Sequence, residues 1–199
     1  GEEPDRSRDG ESASDRSLSR QIGTAGWGVD LAYLMEADEI CIKIAQGAKP
    51  GEGGDLPGEK VNSFIASLRH VKVGTRLISP PPNHDIYSIE DLKARLRCLR
   101  ALNPRARISL KVASMPGLGG ISEGAVKAGA DVIEVSGFDA STGAAGEQSV
   151  EHCGLPVEIG LADVHQALVR SGVRDRVQLR ACGKMTTAKD FAKMLLMGA

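Results

Sequence analysis

The chain has 199 residues, enough for one substantial domain with its own core. With 41% hydrophobic and 26% charged residues and a formal net charge of −1, it reads as an ordinary globular protein, without the positive field that nucleic acid or an anionic membrane surface would select. No apolar run approaches the roughly 20 residues of a membrane-spanning helix, and no basic-then-apolar leader opens the chain.

Residues 1–20 are dominated by Gly, Glu, Asp, Arg and Ser without an apolar period, so they read as a flexible, solvated segment, and the fold proper is expected over 21–199. Leu31, Leu34 and Met35 give 29–37 a helical spacing, with Asp30 where a carboxylate suits the helix dipole. A strand follows at 39–45. It stops at 47–58, a stretch of five glycines, two prolines, one lysine and two carboxylates that reads as a shaped loop. Val61, Phe64, Ile65 and Leu68 make 60–70 a helix. A short strand at 76–79 is cut off by Pro80-Pro81-Pro82, and Ser88 then caps a helix that Asn103-Pro104 ends.

Strands at 108–113, 131–135 and 177–181 alternate with helices at 120–129, 157–171 and 188–196. Apolar strands alternating with helices imply parallel pairing with right-handed crossovers. A spacing of about 25–35 residues per unit matches an α/β (β/α)8 barrel. Five strands are counted, so the barrel is expected to be incomplete here, with first and last strands missing; an open doubly wound sheet fits the same alternation. The chain begins at Gly1 without methionine and stops after an apolar helix end, which reads as a piece of a longer polypeptide.

In a (β/α)8 barrel, residues just past the strands face the active site. That rule gathers Lys49 and Glu52, Asn83, His84 and Asp85, Lys111 and Ser114, Ser136, Asp139 and Thr142, and Gly183 and Lys184. Such a set could hold an anionic substrate beside a planar cofactor, although any parallel sheet ends in polar loops. Lys111 is the sharpest case, because it interrupts an apolar strand where a buried ammonium needs a partner or an outlet. The loop 136–146 offers many backbone N–H groups to an anion or a flavin edge, and Gly183 before a helix could donate to a phosphate. Arg69 at a helix end complements the dipole. His165 reads as structural. Cys41, Cys98, Cys153 and Cys182 are scattered, without the spacing of a metal site, and read as reduced thiols.

The strings KIAQGAKPGEGGDLPGEKV and LISPPPNHDIYSIEDL, with LRH, ISLKVAS, EVSGFDASTGA and VQLRACGK in the same order, resemble the flavin-binding synthase domain of glutamate synthases. The resemblance covers 21–199 strongly and implies an FMN-dependent barrel oxidoreductase. In that family, ammonia from glutamine condenses with 2-oxoglutarate to 2-iminoglutarate, which reduced FMN converts to L-glutamate. It implies that Lys49 and Arg69 clamp the substrate carboxylates, with Asp55 standing where the family has glutamine. It makes Lys111 the catalytic and flavin-side cation, and Ser136, Gly137, Asp139, Thr142, Gly143, Gly183 and Lys184 cofactor-binding.

Where the family pattern reads SGxDGGTGA, this chain has Ala140-Ser141; where it reads VDGGLRTG, the chain runs Ala181-Cys182-Gly183-Lys184-Met185-Thr186-Thr187-Ala188. Asp55 places negative charge near an anionic substrate, which favours a less acidic or amine-bearing one. Two alternatives follow: an N-methylglutamate synthase-like enzyme, or a flavin-free degenerate barrel with a structural or regulatory role. The glutaminase nucleophile and the three-cysteine iron–sulfur motif of the family do not occur in these residues. The resemblance thus implies ammonia from a glutaminase domain or subunit, and electrons from ferredoxin or a donor subunit. It also implies a cytoplasmic location, or a plastid one in a photosynthetic eukaryote. Neither a metal ligand set nor a nucleic-acid or membrane partner is expected.

Overall fold

Apolar residues recur at alternate positions of EICIK and RISLKVA, so each segment must bury one face while the other carries charge. The computed structural model describes residues 17–140 and 145–199. The chain runs β1 (Ser19–Ile22), α1 (Leu31–Met35), β2 (Glu39–Lys43), β3 (Gly54–Leu56), α2 (Ser63–Arg69) and β4 (Leu77–Ser79). It continues through α3 (Ile89–Leu102), β5 (Arg107–Ala113), α4 (Leu118–Ala128) and β6 (Val132–Ser136). The last elements are α5 (Glu147–His152), α6 (Val157–Arg170), β7 (Gln178–Cys182) and α7 (Ala188–Leu196).

Five strands form one parallel sheet in the order β1-β2-β5-β6-β7. Each strand lies beside the next one of the sheet in sequence, with no reversal. A doubly wound sheet requires a reversal, so the open alternative does not describe these strands. The sequential order is that of a (β/α)8 wall, and the fold is a mixed α/β architecture compatible with part of such a barrel.

One of the expected strands needs correction. Residues 76–79 do not enter the parallel sheet: Leu77–Ser79 pairs antiparallel with β3 in a separate two-stranded ribbon. The sheet takes Ser19–Ile22 instead. That four-residue edge strand has three polar residues among four, and Ile22 is its only β-branched residue, so it lacks the signature that marks a strand in sequence. Helix α5 lies between the glycine loop 136–146 and the helix at 157–171, where the sequence predicts no element.

Ile40, Ile42, Ile108, Leu110, Ile133 and Val135 fill the helix side of the sheet and are all essentially inaccessible. Helix α4 packs between α3 and α6. Gly119 permits that approach, since a methyl group there would stand 2.6 Å from the Ala167 Cβ, and its N–H donates to Asp163 Oδ2 on α6 at 2.8 Å. Helix ends follow local chemistry. Asp30 and Ser88 accept the Tyr33 and Asp91 N–H groups as N-caps. The buried Asn103 amide, at the end of α3, donates to the carbonyls of Leu34 and Met35 in the last turn of α1 and of Ala37 just past it. Among the described residues no helix is long and apolar enough to cross a membrane.

The opposite face of the sheet is polar, and it is concave. Register places Arg180 on β7 level with Glu134, Lys111 and Lys43, four residues beyond Glu39 and three strands away. In a flat sheet that offset is about 14 Å across and about 13 Å along the strands, more than the two side chains can span. Yet Arg180 grips Glu39 with both terminal guanidinium nitrogens, at 2.6 and 2.7 Å. The sheet is therefore curled and its strands tilted, as a barrel wall requires. Arg107 adds a third contact to Glu39 at 3.0 Å.

Burial alone would raise the Glu39 pKa. The hydrogen bonds from Arg180 and the charges of Arg180 and Arg107 outweigh it and hold the carboxyl below its ordinary 4.5. A depressed carboxylate contributes stability above its unfolded pKa and loses it as pH falls through the folded one. Glu39→Gln is expected to cost about 2–3 kcal/mol at neutral pH, less than a fully buried pair because both arginines can rehydrate. In urea titrations the difference from the parent should vanish well below pH 4.5. An undiminished difference there would show that the carboxylate charge is not what joins β2 to β7.

Candidate functional site

The carboxyl ends of β2 and β6 are brought together by backbone contacts that only glycine allows. A methyl group on Gly47 would stand 2.1 Å from the Gly137 carbonyl oxygen and 2.2 Å from that of Ser136. The Gly47 N–H donates to Ser136 Oγ at 3.3 Å. The loop after β2 thus leans across the end of β5 onto the loop after β6. Gly154, at φ +87°, lies against Gly47 from the other side, and Ser149 Oγ donates to Glu52.

Cations gather at this end of the polar face. Lys111, two residues before the end of β5, pairs with Glu134, its register partner, at 2.8 Å, and it reaches Cys182 Sγ at 3.5 Å. Burial opposes its charge, but Glu134 outweighs burial and raises the Lys111 pKa. Lys43 is the neighbour of Lys111 across β2–β5. Burial first, then the charges of Lys111, Lys49 and Arg69, bring Lys43 from 10.5 down to about 8. Lys49 is buried, and its Nζ donates to the Gly53 carbonyl at 3.3 Å within its own loop. Arg69, the last residue of α2, lines a small cleft past β1 with Gln21, Gly23, Trp27 and Ser79. Like charges held together in a half-buried site raise one another's energy, and a bound anion relieves that repulsion.

Beside the cations sits a carboxylate lodged between glycines. Asp139 Oδ2 accepts the Lys184 N–H at 3.1 Å, while buried Oδ1 has no hydrogen-bond partner among the described residues. Methyl groups on Gly137 and Gly183 would each stand 2.8 Å from that orphaned oxygen. The Lys184 side chain is exposed. Ala140, which follows Asp139, is buried. Thr142 and Gly143, with Ser141, lie outside the described residues.

Other expected residues are engaged elsewhere. Asp55 lies exposed on the β3–β4 ribbon, held by two hydrogen bonds from Arg76 at 2.8 and 2.6 Å. Arg76 neutralises its charge and lowers its pKa. Ser114 donates to the Pro156 carbonyl and accepts the Gly160 N–H, so it ties β5 to the start of α6. His84 meets Tyr87 and Asp85 meets Arg95, local contacts of the approach to α3. Buried Asn83 donates to the Lys43 carbonyl, which steadies the end of β2. His165 accepts from Arg174 Nε on the far side of the sheet, in keeping with a structural role.

Lys43, Glu134, Arg180 and Glu39 are absent from the sequence-based set. Their signal was available: Glu39-Ile40-Cys41-Ile42-Lys43 and Val132-Ile133-Glu134-Val135 alternate, and a charge on alternate positions of an otherwise apolar strand marks the side away from the helices.

The family described as "Conserved region in glutamate synthase" matches residues 1–199. The glutamate synthase [NADPH] large chain of Bacillus subtilis (strain 168) is 50% identical over 200 residues, which is 100% of this chain and 13% of that protein. The ferredoxin-dependent glutamate synthase of Pyropia yezoensis is 50% identical over 96% of this chain and 12% of its own length. The glutamate synthase [NADH] of Schizosaccharomyces pombe (strain 972 / ATCC 24843) is 49% identical over 100% and 10%. The chain thus spans roughly an eighth of the curated relatives it matches, and it belongs to the glutamate synthase family through that family's conserved region.

Proposed function

We propose that this chain supplies the flavin and substrate site of a glutamate synthase-type oxidoreductase. Ammonia and 2-oxoglutarate would condense to 2-iminoglutarate and water, and the imine would be reduced to L-glutamate. The observation that carries the reading is the gathering of Lys43 and Lys111 near the carboxyl ends of parallel strands, Lys49 in the loop after β2 and Arg69 at the end of α2, since such a set of cations calls for an anionic substrate. A dicarboxylate answers that call, and Lys49 with Arg69 are its carboxylate contacts.

The residues present fit FMN. Glycines at 47, 137 and 183 keep backbone and carboxylate close at the loop ends, and the orphaned Asp139 Oδ1 has room in its chemistry for an N–H or O–H donor. Ser136, Gly137, Asp139, Thr142, Gly143, Gly183 and Lys184 would hold the cofactor. When bound, FMN supplies the hydride. Lys111, oriented by Glu134, would place a fixed positive charge where the reduced ring gathers negative charge. Asp55 does not make the site hostile to an anion, because Arg76 neutralises it. That favours 2-oxoglutarate over an amine-bearing substrate. Electrons would come from ferredoxin or a pyridine-nucleotide donor subunit, in line with the donors named for the relatives, and ammonia from a glutaminase domain or subunit.

Two outcomes check the reading in the full-length protein. Lys49→Met is expected to weaken 2-oxoglutarate binding by about 10- to 100-fold in calorimetry, the worth of one charge-assisted hydrogen bond. Unchanged affinity would remove Lys49 from the substrate side. Lys111→Met should slow flavin reduction by far more than it lowers thermal stability. Lost stability with unchanged turnover per folded molecule would make Lys111 structural. A colourless protein that takes up no FMN, yet is stabilised by 2-oxoglutarate, would favour the flavin-free regulatory reading.

A further inference from the structure

Four charged residues stand in one row across the polar face. Register sets Lys43 on β2 beside Lys111 on β5, Lys111 beside Glu134 on β6, and Glu134 beside Arg180 on β7. Glu134 is the carboxylate of that row, with a cation on either side. Side chains of register partners share a face with their β-carbons about 5 Å apart, so both cations start within its reach.

Among the described residues Glu134 pairs with one of them. Lys111 Nζ lies 2.8 Å from Glu134 Oε1, and it also touches Cys182 Sγ at 3.5 Å. Arg180 turns along the sheet instead, with both terminal nitrogens on Glu39 and one of them also on Gln178 Oε1 at 3.4 Å. The Glu39 side chain is 4% exposed and that of Glu134 is 21% exposed, so Glu39 loses more by going unpaired. Glu39 also meets the guanidinium fork with both of its oxygens, which makes it the stronger claimant for Arg180.

We propose that Glu39 assigns Glu134 to Lys111: by holding Arg180 at the amino end of β2, the buried anchor leaves Glu134 as the positioning residue of Lys111. The proposal rests on the reading of Lys111 as the flavin-side cation and extends it, because it couples a stabilising contact at one end of the strands to a functional charge nearer the other. Without Glu39, Arg180 is drawn to its register partner. Glu134 is then shared between two cations, and Lys111 is no longer held in one place.

The electrostatics agree with the geometry. Burial opposes the charge of Lys111, but the Glu134 hydrogen bond and charge outweigh it and raise the Lys111 pKa. The Arg180 pKa is raised first by the hydrogen bonds to Glu39, with burial opposing, and Glu134 acts on it through charge alone.

Competitive acylation with acetic anhydride at neutral pH, read by mass spectrometry on the full-length protein, reports how firmly Lys111 is held, because only the unprotonated amine reacts. In the parent, Lys111 is expected to react more slowly than the exposed Lys184. Glu134→Gln should speed the Lys111 reaction at least about 10-fold, the worth of one pKa unit. Glu39→Gln should speed it at least about threefold, and Glu39→Gln/Arg180→Met should return it to within about twofold of the parent, since no guanidinium is left to claim Glu134. Flavin reduction should slow and recover in the same order. The double variant still lacks the anchor, so an effect of lost stability would not be rescued. Lys111 no more reactive in Glu134→Gln than in the parent, or as reactive in the double variant as in Glu39→Gln, overturns the proposal. If Glu39→Gln does not fold, Glu39→Asp, which keeps the charge and shortens its reach, should shift Lys111 in the same direction, and no shift overturns the assignment. Undiminished flavin reduction in Lys111→Met, beside the expected acylation pattern, overturns the flavin-side reading and leaves the assignment of Glu134 supported.

Discussion

The grip of Arg180 on Glu39 is the contact on which the polar side of the sheet depends. It joins the second and last strands of a five-stranded sheet across two intervening strands, and a flat sheet could not make it. The carboxylate is almost wholly buried, so its charge is tolerated only because two guanidinium groups reach it. Curling the sheet towards Glu39 also turns Lys43, Lys111 and Glu134 into one concavity. The same geometry that satisfies a buried charge at one level therefore concentrates cations at the next.

The loops above that concavity are held by contact of main chain with main chain. Gly47 against Ser136 and Gly137, with Gly154 beyond, leaves no space for a β-carbon between the loops after β2 and β6. Such packing fixes the height at which Lys49 enters the site and the position from which Asp139 looks out. Cations drawn together by a fold stay apart in energy until something anionic joins them. The depressed Lys43 and the Asp139 oxygen without a hydrogen-bond partner among the described residues both lie at this end of the sheet.

Sequence reading located Lys111 because an ammonium in an apolar strand is conspicuous, and located Lys49 because its loop is too glycine-rich to be core. It passed over Lys43 and Glu134, although both sit in alternating strands, because attention to strand ends favours loops over the strand's own polar face. It assigned 76–79 to the main sheet on its apolar character alone. A three-residue strand halted by prolines can pair with any nearby edge, and here that edge is β3. Asp55 illustrates the opposite error. A new negative charge in a substrate loop is a fair warning from sequence, but Arg76 lies 21 residues away and only the ribbon shows that the two cancel.

What the sequence determined by itself was local: strand and helix alternation from the two periodicities, the cap at Ser88, the glycine loops, and membership in a family from strings of motif. Each depends on neighbours within a few positions, where sterics and hydrogen bonding act directly on the chain. Tertiary structure alone decided strand order, the curl of the sheet, and which charges face one another. Those are fixed by contacts between residues as far apart as Glu39 and Arg180, separated by 141 positions, and no local preference encodes such a pairing.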